Sequence, residues 1–108
     1  MKYLKELEKL NLPKNQYVIF GSGPLAIRGI RENEDIDLIV TKKLWDELLK
    51  NTKIIKKSEK ELTIGNIQIF KSWQLIEESV KELINDSEMI KGFPFVKLEY
   101  VLKWKSNE

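Results

Sequence analysis

GSGPLAIRGIRENEDIDLIV, residues 21–40, joins a glycine-rich turn to an apolar run that carries two aspartates. The residues before it, Tyr17-Val18-Ile19-Phe20, form an unbroken apolar run. Such a run predicts a strand covered on both faces. Gly21-Ser22-Gly23-Pro24 then reads as a turn, with Pro24 suited to the first position of a helix through Ile27 that ends near Gly29. Arg31 to Glu34 is a polar loop, and Asp35 to Val40 is a second strand. Side chains alternate along a strand. Asp35, Asp37 and Ile39 therefore share one face, while Ile36, Leu38 and Val40 form an apolar face fit for the core.

Helices and a hairpin flank this unit. Leu4, Leu7 and Leu10 make Tyr3 to Leu10 an amphipathic helix, ended by Asn11-Leu12-Pro13. Thr41 is placed to cap a helix over Lys42 to Leu49, with Leu44, Trp45 and Leu48 on its core face. Ile54-Ile55 suggests a short strand. Glu61 to Ile64 and Ile67 to Phe70 flank Gly65-Asn66, a two-residue hairpin signal. Its register pairs Ile64 with Ile67, Thr63 with Gln68 and Glu61 with Phe70. A helix after Ser72 carries Ile76, Val80, Leu83 and Ile84. Gly92-Phe93-Pro94-Phe95 is a turn or short extended piece, and a last helix holds Leu98, Val101, Leu102 and Lys105. The expected fold class is α/β (α+β): a mixed β-sheet with flanking helices, in a single domain spanning 1–108.

Composition narrows the chemistry. The 108 residues include no cysteine and no histidine. Disulfides, Cys/His zinc sites, and Ser–His or Cys–His catalysis are thereby excluded. What is left is carboxylates, lysines, hydroxyls, backbone amides and oxygen-ligated metals. The formal net charge of +2 does not demand a nucleic-acid partner. Lys53, Lys56, Lys57 and Lys60 form a basic cluster of the kind that usually marks a solvated face. No apolar run approaches the ~20 residues of a membrane span, and the N-terminus has no apolar signal segment. A cytoplasmic protein without a membrane partner is expected.

Asp35-x-Asp37 places two like charges together, each favouring protonation of the other. A divalent cation removes that conflict, and magnesium takes one or two carboxylates with phosphate oxygens and water. The other reading makes Asp35 the end of the polar loop and Asp37 a salt-bridged or solvated residue. Gly21 and Gly23 let the backbone approach a ligand, and a helix start after a strand suits an anion. An ordinary turn with Ser22 as its cap is the competing reading. No Walker loop is present.

An apolar strand, Gly-Ser, a short helix and then D-x-D on a second strand resemble the nucleotidyltransferase superfamily, of which DNA polymerase beta and small stand-alone prokaryotic enzymes are members. The residues that carry the resemblance are Phe20-Gly21-Ser22 and Asp35-Ile36-Asp37-Leu38-Ile39. The C-terminal FVKLEYVLKWK, Phe95 to Lys105, also looks like the closing helix of small members. The resemblance implies a minimal nucleotidyltransferase fold and magnesium-dependent transfer of a nucleoside monophosphate from a nucleoside triphosphate to an acceptor hydroxyl. It assigns Gly21, Ser22 and Lys105 to the phosphates. Asp35 and Asp37 become the catalytic pair that binds two magnesium ions. Such ions clamp the attacking and leaving oxygens and neutralise developing charge. Lys105 also reads as a surface lysine at a helix end. Arg28 and Arg31 are placed to assist, or to pair with Glu32 and Glu34.

The sequence departs from the family where a third carboxylate is usual. Gln68 stands there, and glutamine cannot take a proton; Glu61, on the same hairpin face, is a substitute candidate. Members often continue with a basic R-x-K-D segment, where this sequence has Lys105-Ser106-Asn107-Glu108. A protein partner or a homo-oligomer is therefore expected. The alternative is a catalytically silent relative that binds nucleotide, RNA or a protein. A plain structural domain with an incidental D-x-D is the third reading.

Overall fold

The computed structural model describes residues 1–71 and 77–101, with no side-chain description at 77 and 78. Lys105 lies outside the described residues, as does Ile76 of the helix expected after Ser72.

Helix α1 (Leu4–Lys9) leads into strand β1 (Tyr17–Phe20), helix α2 (Gly23–Ile27), strand β2 (Ile36–Val40) and helix α3 (Lys42–Leu48). Strands β3 (Ile55–Lys56), β4 (Glu61–Ile64) and β5 (Ile67–Phe70) precede helix α4 (Glu77–Asn85), and strands β6 (Glu88–Ile90) and β7 (Phe93–Phe95) follow it. A further helical turn occupies 98–101. The fold is therefore α+β. Its seven strands form one mixed sheet in the order β3-β4-β5-β2-β1-β7-β6.

The centre of the sheet is the unit quoted at the outset. β1 and β2 are antiparallel, with Phe20 opposite Asp37 and Val18 opposite Ile39. β2 runs parallel to β5, with Asp37 opposite Gln68. The Gly65-Asn66 hairpin has the predicted register, Ile64 to Ile67, Thr63 to Gln68 and Glu61 to Phe70. Gly65 takes φ 55°, the positive value that the first residue of a II′ turn needs.

Both sheet faces are packed. Ile19, Ile36, Leu38 and Val40 join Leu7 of α1 and Leu44, Trp45 and Leu48 of α3 on one face. Val18, Phe20 and Ile39 meet Val80, Leu83 and Ile84 of α4 and Val101 on the other. Tyr17 to Phe20 is buried throughout, as its apolar run predicts. Thr41 Oγ1 accepts the Leu44 N–H at 3.2 Å and so caps α3.

Local details differ from the sequence expectations. The β2 ladder begins at Ile36, because the Asp35 carbonyl is taken by Asn33 Nδ2 at 3.2 Å. The short strand falls on Ile55–Lys56, where Ile55 pairs with Thr63, and Ile54 turns inward instead. β6 is an addition. It pairs with β7 through a turn in which Lys91 (φ 52°) and Gly92 (φ 84°) are both left-handed.

Candidate functional site

One row of side chains crosses four strands: Phe20, Asp37, Gln68 and Thr63. Asp35 precedes β2 and reaches the same place, since its Oδ2 accepts a 3.0 Å hydrogen bond from Gln68 Nε2. Asp35 and Asp37 thus lie together, as alternation requires. Their face is not open sheet, because the second apolar cluster begins one row away at Ile39 and Phe70. Phe20 of the Asp37 row and Phe70 of the next row meet edge to face, with centroids 5.6 Å apart.

This packing sets the charge state of Asp37. Burial first, and then the neighbouring Asp35 carboxylate, push its carboxyl up to about 7. A hydrogen bond with Asp35 and the more distant charge of Glu61 act in the same direction. Glu61 therefore reaches the site electrostatically, from one row further along β4, while its own carboxylate is 3.8 Å from Lys57 Nζ. Of the basic cluster, Lys56 also has an acidic neighbour, Glu59, at 3.2 Å.

The turn after β1 meets the pair directly. Gly21 holds φ 66°, and a Cβ there would sit 2.6 Å from Asp37 Oδ2. Only glycine combines that backbone with that approach. Ser22 occupies the N-cap position of α2 but makes no side-chain cap bond, so capping does not account for its hydroxyl. Gly23 has a different role: a Cβ there would collide with Ile19 Cγ2, so this glycine lets α2 pack on β1.

Arg28 is drawn away from the expected partners Glu32 and Glu34. Its guanidinium donates to the Pro24 carbonyl and to Glu88 Oε2, both at 2.7 Å, and so ties α2 to β6. Sequence reasoning also missed Asn33. It is 1% exposed, and its amide bonds both backbone groups of Lys2 and the Asp35 carbonyl. Its place two residues before the D-x-D run is the one local signal of that role.

The donor set suits a hard cation with an anionic ligand. It offers two adjoining carboxylates and no nitrogen or sulfur ligand, beside a glycine whose missing Cβ leaves room at Asp37. Among the described residues no group of three or more acidic, His or Cys ligands is assembled. Bound phosphate and water would have to complete the shell of a magnesium ion. No protein-family model, characterised protein or solved structure matches this chain.

Proposed function

We propose that the chain binds a nucleoside triphosphate with magnesium at Asp35 and Asp37 and transfers its nucleoside monophosphate to an acceptor hydroxyl. The observation that carries this reading is the Asp35–Asp37 pair seated against Gly21. A carboxyl pushed up to about 7 by burial and then by a like charge is poorly placed as a structural residue and well placed as a cation ligand. Gly21 and Ser22 would face the phosphates, and Lys105 is the proposed pyrophosphate contact. Magnesium, when bound, would offset the charge of the carboxylates and of the phosphates together. The protein's own contribution is to hold the two carboxylates side by side, exclude water with Phe20 and Phe70, and leave the Gly21 backbone clear for the ligand.

A second reading rests on Gln68. Its amide donates to Asp35 where a third carboxylate would add charge and basicity. That contact favours a nucleotide-binding protein without turnover.

Calorimetric titration of the nucleoside triphosphates, with and without magnesium, tests the site. Wild type is expected to bind only with magnesium, and Asp37→Asn to lose at least about tenfold in affinity, or about 1.4 kcal/mol. Equal binding by the variant would remove the metal site. Transfer of labelled nucleotide, assayed next, separates enzyme from silent binder.

A further inference from the structure

A cavity of about 280 Å³ opens between the end of α1, the start of β1 and the β6–β7 turn. Its volume is just below the ~300–1,000 Å³ of small-molecule sites, so it suits a ligand smaller than a nucleotide. Tyr17, which lines it, is three residues along β1 from Phe20, or about 10 Å. Tyr17 belongs to the α1–α3 layer and Phe20 to the α4 layer, so the cavity and the aspartates lie on opposite faces of the sheet.

Tyr17 is the reason to expect a ligand. The residue is 2% exposed. A phenol buried to this degree normally finds a hydrogen-bond partner. The Tyr17 hydroxyl has none among the described residues. Nor is it sealed in, because the side-chain oxygen that is both shut off from solvent and unpartnered among the described residues is Gln16 Oε1. The ring is thus buried while the hydroxyl opens into the cavity that Tyr17 lines. Burial pushes the phenol up to about 12, so it stays a donor at physiological pH.

The charges around the hydroxyl add a second, independent requirement. Lys14 Nζ lies over the Phe93 ring, 5.0 Å from its centroid, and 3.4 Å from the place a Cβ would take on Gly92. This ammonium is therefore held against a wall of the cavity, since Phe93 lines it. Glu8 and Lys91 line it as well. The ion pairs among the described residues include none of Glu8, Lys14 and Lys91. One carboxylate and two ammonium groups thus share a cavity without bridging it. A simple anion would meet the lysines but be repelled by Glu8, whereas a molecule with both charges satisfies each. Leu12 and Phe93 offer an apolar wall to a short side chain.

We infer that this cavity binds a free α-amino acid, its carboxylate on Lys14 and the Tyr17 hydroxyl and its ammonium on Glu8. With Lys91 the lining carries one net positive charge, which makes the carboxylate the stronger anchor. Binding here is independent of magnesium and of the aspartate pair.

Amide spectra of the full chain, recorded in a chelator with alanine or leucine, and with the N-acetyl derivative and the amide of each, test this. At least one of the two amino acids is expected to shift residues 7–8, 11–17 and 91–93 while Gly21 and Asp37 stay in place. It is expected to bind about tenfold more tightly than its N-acetyl derivative, which lacks the ammonium, or its amide, which lacks the carboxylate. Glu8→Gln should erase the first advantage and Lys14→Met the second. Tyr17→Phe should weaken binding about tenfold. Without ligand its melting temperature should not fall, because the hydroxyl has no partner to lose. Asp37→Asn should change nothing. No shift at about 10 mM of either amino acid, equal binding of the N-acetyl derivative or the amide, or a Tyr17→Phe protein that binds as wild type or melts lower would overturn the assignment.

Discussion

Asp37 is ionised at the expense of the fold. Its carboxyl is pushed from 3.8 to about 7, so between those values the folded chain holds a proton that the unfolded chain has released. Stability therefore falls as pH rises from about 4 to about 7 and levels off above. Residual solvent contact screens the charge, which limits the effect to about 1–2 kcal/mol. Asp37→Asn should be more stable than wild type by that amount at pH 8, and the two should converge near pH 4. Urea unfolding across the range measures this; equal stability at pH 8 would show that the carboxylate is not strained. Gly21 makes the complementary case. Gly21→Ala forces a side chain onto φ 66° and to 2.6 Å from Asp37 Oδ2, at a cost of about 1–3 kcal/mol. In an Asp37→Ala background the steric part disappears and the backbone part stays, so the two changes should be non-additive.

Loops fix the elements that carry these residues. Asn33 Oδ1 accepts Lys2 N–H at 2.9 Å, and Nδ2 donates to the Lys2 carbonyl at 3.0 Å. One side chain thereby gives Lys2 the hydrogen bonds that a neighbouring strand would supply, and the third bond sets where β2 begins. Asn33→Ala leaves these groups unpartnered and should cost about 2–3 kcal/mol in urea unfolding. A loss below about 0.5 kcal/mol would mean that water replaces the amide. The contrast between turns shows what a sequence reveals. Gly65-Asn66 was legible because glycine stands where positive φ is needed and apolar pairs flank it. Lys91-Gly92 was not, because Lys91 takes φ 52°, a conformation rarely adopted by a residue with a Cβ. The role of Asn33 and the Glu88 partner of Arg28 were not legible, for another reason. Their partners, Lys2 and Glu88, are 31 and 60 residues away, and no local pattern encodes such contacts. Asp35 and Asp37 were legible as a pair by alternation alone. The apolar surroundings that set the charge state of Asp37 depend on how α4 docks.

At the scale of the molecule, one sheet separates two apolar layers, and β2 contributes to both through adjacent residues. Leu38 and Ile39 are each 0% exposed, one in the α1–α3 layer and one in the α4 layer. If both layers belong to one cooperative unit, Leu38→Ala and Ile39→Ala should each cost about 2–5 kcal/mol and leave the denaturant slope unchanged. The position of Asp37 makes the comparison informative about the site. It projects into the Ile39 layer, beside Phe20, so a cavity at Ile39 admits water near its carboxyl. Ile39→Ala should therefore lower the pH at which Asp37 titrates, while Leu38→Ala, behind the sheet, should leave it near 7. Carbon-detected titration of the Asp37 carboxyl in the two variants measures both. No shift in either variant would assign the raised value to the neighbouring carboxylates, Asp35 and Glu61, in place of burial. A shift confined to Ile39→Ala would show that the apolar layer on the face that carries Asp37 is what raises its carboxyl toward 7.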